Sequence, residues 1–128
     1  MTLLECNLLE LVKSALWGEV PHIQQPVNWS AIIEAAHKQT LSGLLAYAVE
    51  KLPLDLQPPE KEMEKLKQLV FPIIRGHAVI NLRLVEIVNF LQQRGLNSVL
   101  LKGQGLAMNY PNPSSRQCGD IDLYVGPQ

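Results

Sequence analysis

A long run of apolar residues at helical spacing does most to limit what this chain can fold into. From residue 63 to residue 91 the steps alternate between three and four positions, which places these side chains on one face of a helix. Pro59 suits the first turn of such a helix, and Gly95 suits its end. The pattern predicts one long helix that packs on other helices. The members of the stripe are Met63, Leu66, Val70, Ile73, His77, Ile80, Leu84, Ile87 and Leu91.

Two members of this segment need separate interpretation. Pro72 removes the hydrogen bond to the carbonyl of Gln68, and its ring clashes there, so we expect a kink or a break in the helix. His77 lies on the apolar stripe. We interpret it as a histidine of the core or its boundary rather than as a ligand.

Three shorter helical patterns precede the stripe. The first ends near Gly18, the second begins near Asn28, and the third begins near Leu41. No apolar run reaches the roughly 20 residues of a membrane span, so we expect no membrane partner. The first residues lack the basic start of a signal peptide, and Cys6 and Cys118 form no cluster of zinc-binding spacing. We therefore expect a cytoplasmic protein with reduced thiols.

The pattern changes after Gly95. Short apolar runs predict one strand over Ser98–Leu101 and another over Ile121–Val125, starting at Asp120, with a turn into a short helix between them. We expect an α+β fold that is mostly α, with a helical domain over 1–95 and the start of an incomplete α/β domain over 96–128. Two strands with unpaired edges favour pairing with a second copy or with a partner subunit.

Charge is distributed unevenly along the chain. The 128 residues carry a net charge of −1, which gives no strong signal for nucleic-acid binding. Residues 75–119 carry five basic side chains against Glu86 alone, and the carboxylates Asp120 and Asp122 follow. A basic stretch beside two carboxylates suits a phosphate ligand held with a metal ion. A solvated helix face is the alternative interpretation.

The candidate site residues lie in the last quarter of the chain. On a strand, Asp120 and Asp122 would share a face and repel each other unless a cation lies between them, and Mg²⁺ or Mn²⁺ supplies that cation. Gly103 allows close backbone approach, and Lys102 and Arg116 could neutralise a phosphate. A D-x-D pair alone favours an ordinary strand start or turn, where Asp is common, so the prediction depends on the combination.

The stretch from Leu100 to Val125, LLKGQGLAMNYPNPSSRQCGDIDLYV, resembles the polymerase-beta-like nucleotidyltransferase superfamily. It is most similar to a bacterial branch known as uncharacterised nucleotidyltransferases. The resemblance implies that Asp120 and Asp122 are metal ligands and that Gly103 lies in the nucleotide-phosphate turn. Two departures stand out: Lys102-Gly103 replaces the usual Gly-Ser, and no acidic residue follows Asp122. We therefore expect a truncated domain, the first two strands of a nucleotidyltransferase-like sheet, without the third carboxylate.

Two functions follow from these observations. The first is metal-dependent transfer of a nucleotidyl group from a nucleoside triphosphate (NTP) to an unknown acceptor, with catalytic and metal-binding roles for Asp120 and Asp122. Lys102, Gly103 and Arg116 would bind the nucleotide. The second is a non-catalytic helical interaction module with residual nucleotide and metal binding, completed by a partner or a homodimer.

Overall fold

Helices dominate the computed structural model, which describes residues 1–127. Five helices and two strands follow one another along the chain, confirming the α+β, mostly α class. Two short 3-10 turns lie at Leu54–Leu56 and Pro113–Ser115. The elements are α1 (Leu3–Trp17), α2 (Trp29–Lys38), α3 (Ser42–Val49), α4 (Glu60–Gln92), β1 (Leu96–Leu100), α5 (Gln104–Ala107) and β2 (Leu123–Pro127).

Local side-chain chemistry fixes the ends of the first two helices. Thr2 and Glu5 form a reciprocal capping box at the start of α1, and Gly18 ends that helix in the left-handed conformation with φ of 75°. Asn28 caps α2 by accepting a hydrogen bond from the backbone N–H of Ala31 at 3.1 Å. The three predicted helix boundaries at Gly18, Asn28 and Leu41 are confirmed to within a residue or two.

The hydrophobic core lies where α1, α2 and α3 meet the first half of α4. The apolar faces of these helices supply almost all of the buried side chains, and α4 contributes Leu66. The core residues are Leu11, Ala15, Trp29, Ile32, Ile33, Ala36, Leu44, Leu45, Ala48, Val49, Leu52 and Leu66. These buried side chains form one contiguous cluster within residues 11–66, and Tyr110 packs against it.

Helix α4 runs unbroken past Pro72, so the break that we expected there is wrong. Pro72 is exposed, while Leu66 before it and His77 after it are both buried. Packing on both sides of the proline therefore outweighs the loss of one backbone hydrogen bond. Beyond His77 most of the stripe is only half-buried, and Leu82 and Phe90 on other faces of α4 are exposed.

The two strands form an antiparallel pair, with Leu96 opposite Pro127 and Leu100 opposite Leu123. The prediction of two strands is confirmed, but β2 begins at Leu123 rather than at Asp120. The ladder ends at the pair of Leu100 and Leu123, because β1 ends there and the chain turns away at Gly103. One further backbone hydrogen bond joins the N–H of Leu101 to the carbonyl oxygen of Asp122 at 3.0 Å. The sheet packs on α4.

In the part of the chain that the structure describes, each strand has one edge without a neighbouring strand. Val99 and Tyr124 lie opposite each other on the outer face of the sheet, and both are exposed. Among residues 1–127, no helix combines the length and apolar character that crossing a membrane requires.

Candidate functional site

All five residues that the sequence selected line one surface cavity of about 180 Å³. The cavity lies between the turn after β1 and the segment that leads into β2. Its walls are mostly polar, unlike those of the apolar grooves elsewhere on the surface. The lining residues are Lys102, Gly103, Arg116, Gln117, Cys118, Gly119, Asp120 and Asp122.

Gly103 forms the sharp turn on one side of the cavity. Its φ of 67° and ψ of −112° lie in a region that residues with a side chain rarely adopt. A Cβ at this position would lie 3.1 Å from the carbonyl oxygen of Asp120. The sequence predicted that another group could approach the backbone of Gly103 closely. In the structure that group is the backbone carbonyl of Asp120. Helix α5 follows with four residues, too short for an appreciable helix dipole.

Asp120 and Asp122 both line the cavity, although not in the way that the strand pattern predicted. Both residues precede β2, so the alternation of a strand does not place them on one face. Asp120 is exposed and Asp122 is half-buried. The carboxylate of Asp122 pairs with the ammonium of Lys102, with 3.5 Å between Oδ2 and Nζ. A cation thus already lies against this carboxylate.

Arg116 connects the two sides of the cavity. Its Nη1 donates to the carbonyl oxygen of Gly103 at 3.4 Å and to Sγ of Cys118 at 2.9 Å. Partial burial lowers the pKa of Arg116, but the hydrogen bond and charge of Cys118, together with Tyr110, outweigh burial and raise it. The guanidinium therefore stays charged, and it keeps donors available for an anion in the cavity.

The segment that carries Arg116 packs directly on α3. The 3-10 turn at Pro113–Ser115 precedes Arg116, and Ser115 is buried. A Cβ on Gly43 of α3 would overlap the backbone carbonyl of Ser115. The helical region thus determines where one wall of the cavity lies, through a contact that sequence reasoning missed.

A buried polar cluster on α4 also reaches the cavity from behind. His77 is 7% exposed, and its Nε2 forms a hydrogen bond with the carbonyl oxygen of Arg116. Gln104, directly after Gly103, donates from Nε2 to Nδ1 of His77 at 3.2 Å and to Oδ1 of Asn81 at 2.5 Å. The interpretation of His77 as a buried histidine is right. The sequence pattern did not indicate its hydrogen-bond partners, because Arg116 and Gln104 lie far from it along the chain.

The donor set of the cavity suits a hard divalent cation bound with a phosphate ligand. Within residues 1–127 no group of three or more His, Cys, Asp or Glu side chains is arranged to hold a metal. Asp120 and Asp122 supply two carboxylates on one cavity wall, and Lys102 shows that a cation is accommodated beside Asp122. Mg²⁺ typically takes one or two protein carboxylates and completes its shell with water and substrate phosphate.

Comparison with known proteins identifies the family. No curated protein and no solved structure matches this chain. The family model described as "Uncharacterised nucleotidyltransferase" matches residues 25–128, which covers every element from α2 onwards and the whole candidate site. The chain therefore belongs to this uncharacterised nucleotidyltransferase family.

Proposed function

We propose that this protein binds an NTP together with Mg²⁺ or Mn²⁺ and transfers a nucleotidyl group to an acceptor. The observation that carries the proposal is that Lys102, Gly103, Arg116, Asp120 and Asp122 line one polar cavity. Membership of a nucleotidyltransferase family supports the reaction class.

The residues of the cavity divide into two chemical roles. Asp120 and Asp122 would hold the metal ion, which when bound offsets the charge of the phosphates and of the leaving pyrophosphate. Arg116, which is charged and fixed by two hydrogen bonds, would orient the triphosphate. Gly103 would contribute its backbone turn to the side of the cavity that receives the nucleotide.

Lys102 would change partners when substrate binds. Without substrate its ammonium pairs with Asp122 across 3.5 Å, and its side chain is 68% exposed. A metal ion at Asp122 would displace the ammonium, because two cations cannot share one carboxylate without repulsion. The freed Lys102 would then reach a phosphate at the mouth of the cavity. The departure from the superfamily's usual Gly-Ser turn would thus supply a positive charge in place of a hydroxyl.

A second candidate function is a binding module that uses the same cavity without turnover. The observation that favours it is the small donor set, since residues 1–127 present two carboxylates at the cavity and no cluster of three. The unpaired strand edges and the exposed Val99 and Tyr124 would then receive a second copy or a partner subunit that completes the sheet.

Nucleotide binding and turnover separate these possibilities. Calorimetric titration with each of ATP, CTP, GTP and UTP in the presence of Mg²⁺ is expected to give a saturable signal for at least one nucleotide. Asp120→Asn and Asp122→Asn should abolish this signal, whereas Asp55→Asn should not, because Asp55 lies on an exposed 3-10 turn away from the cavity. Release of pyrophosphate by the wild type supports the transferase, and binding without release supports the module. Absence of metal-dependent binding would reject both.

A further inference from the structure

The strongest unassigned feature is the cluster formed by the buried His77 and Gln104 with the exposed Asn81, which links α4 to the segments that form the cavity. His77 and Gln104 are each 7% exposed. His77 is the buried polar residue of the long helix, and its neighbours on the stripe are apolar. A polar group in such a place requires hydrogen-bond partners, and here the partners belong to the two segments that form the cavity walls.

Hydrogen-bond directions fix the protonation pattern of the ring. The carbonyl oxygen of Arg116 only accepts, so Nε2 of His77 must carry a proton and donate it. Gln104 presents its amide nitrogen to Nδ1 of His77 and to Oδ1 of Asn81, and one amide group has two hydrogens for these two acceptors. With the Gln104 amide in this orientation, Nδ1 accepts and the ring carries a proton on Nε2.

The Gln104 amide makes both of its hydrogen bonds through the nitrogen. Its Oε1 is buried and has no hydrogen-bond partner among residues 1–127, which is unfavourable for a carbonyl oxygen. The two bonds from the nitrogen therefore hold the amide in place at the cost of one unpaired oxygen.

Both partners of His77 adjoin residues that line the cavity. Arg116 itself lines it, and Gln104 directly follows Gly103. One imidazole on a long helix thus fastens the two cavity walls, which also contact each other through Nη1 of Arg116 and the carbonyl of Gly103. Loss of either bond would allow one wall to move relative to the other.

We infer that His77 is a positioning residue of the nucleotide site: its Nε2–H holds the Arg116 backbone and, through Gln104, the Gly103 turn in the geometry that receives the triphosphate. The identity of the ligand rests on the proposed function, whereas the arrangement of the cavity does not. His77 does not itself line the cavity, so it acts through Arg116, which does, and through Gln104, which follows Gly103.

The test compares two replacements of His77. In His77→Gln the side-chain amide keeps a donor for Arg116 and an acceptor for Gln104, whereas His77→Leu removes both at similar volume. Dissociation constants for Mg²⁺ with each of the four NTPs are expected to rise about tenfold in His77→Leu and to stay near the wild type in His77→Gln. His22→Leu, in an exposed loop, is the matched control. Wild-type affinity in a folded His77→Leu would overturn the inference. If His77→Leu does not fold, Gln104→Met takes its place and should weaken binding in the same way. Wild-type affinity in Gln104→Met would also overturn the inference.

Two nuclear magnetic resonance readouts stay informative if the protein binds no nucleotide. Long-range ¹H–¹⁵N spectra of the wild type should show His77 protonated at Nε2 and unprotonated at Nδ1; a ring protonated at Nδ1 overturns the inference. Backbone amide signals of Gly103 and Arg116 should shift in His77→Leu and return in His77→Gln. If these spectra agree but no NTP binds, the proposed function fails and the positioning role stands. If NTP binds but the amide signals of Gly103 and Arg116 do not change in His77→Leu, the positioning role is wrong and the proposed function stands.

Discussion

The Gly103 Cα and the carbonyl oxygen of Asp120 approach so closely that a Cβ on Gly103 would lie 3.1 Å from that oxygen. Gly103 ends the turn after β1, and Asp120 belongs to the segment that enters β2. The two sides of the candidate site therefore meet through backbone atoms. The ion pair of Lys102 and Asp122 joins the same two segments through side chains, since Lys102 precedes Gly103 and Asp122 follows Asp120.

Gly103→Ala is expected to lower the free energy of unfolding by about 1–3 kcal/mol, because alanine does not tolerate the φ of 67° and its methyl group would crowd Asp120. Urea denaturation monitored by circular dichroism measures this change. Gly76→Ala is the control: Gly76 lies within α4 with nothing near the added methyl group, so stability should rise by about 0.5–1 kcal/mol. Equal effects of the two variants would contradict the role of Gly103.

Gly43→Ala is expected to destabilise the protein by about 1–3 kcal/mol, even though alanine favours a helix more than glycine does. The added methyl group would overlap the backbone of Ser115, which no rotamer change relieves. The 3-10 turn before Arg116 would shift away from α3, so NTP affinity should fall together with stability. The same urea titration and calorimetry measure both. Stability raised as in Gly76→Ala would show that this contact is absent.

The sequence predicted the elements whose cause is local. Helix α4 follows from its apolar spacing, and the end of α1 and the start of α2 follow from Gly18 and Asn28, whose effects extend over one turn. The five candidate site residues were selected as a group, and the structure brings all five to one cavity. They could be selected because lysine, arginine and paired aspartates near a strand end indicate phosphate chemistry without any knowledge of packing.

What the sequence did not predict depends on contacts between distant residues. Pro72 deprives α4 of one backbone hydrogen bond, and the packing of Leu66 and His77 on either side outweighs that loss. The start of β2 depends on where β1 loses its partner at the Gly103 turn, which a pattern within residues 120–125 does not contain. The bonds of His77 and the contact of Gly43 with Ser115 join elements far apart in the chain, so no spacing rule indicates them.

Lys102→Gln is expected to have opposite effects on the two ligands. Without nucleotide, Mn²⁺ should bind up to about fivefold more tightly, because no ammonium competes for Asp122; an exposed ion pair of this kind is worth about 0.2–1 kcal/mol. NTP affinity should fall, because one phosphate partner is lost. Calorimetric titrations with Mn²⁺ alone and with NTP measure the two effects. Lys38→Gln, from an exposed pair with Glu34, should change neither. A loss of Mn²⁺ affinity in Lys102→Gln would contradict the exchange of partners.

Arg116→Gln is expected to weaken NTP binding by about tenfold or more, since a charged donor to phosphate and the link to Gly103 are both lost. In the wild type, binding should not depend on the protonation of this residue at any pH at which the protein is folded, because an arginine guanidinium stays charged there and the neighbours of Arg116 raise its pKa further. Calorimetry with both proteins measures the difference in affinity. Arg94→Gln, at an exposed position just after the end of α4, is the control. Equal NTP affinities for Arg116→Gln and the wild type would show that Arg116 does not bind the nucleotide.

The most direct test of the central claim is electron paramagnetic resonance of Mn²⁺ in the presence of NTP. The signal of free Mn²⁺ should fall as wild-type protein is added, because Asp120 and Asp122 hold the metal together with the phosphates. With Asp120→Asn or Asp122→Asn it should stay at the level of metal and nucleotide alone, while Asp55→Asn should behave as the wild type. Wild-type behaviour of both cavity variants would contradict a metal-nucleotide site at these carboxylates.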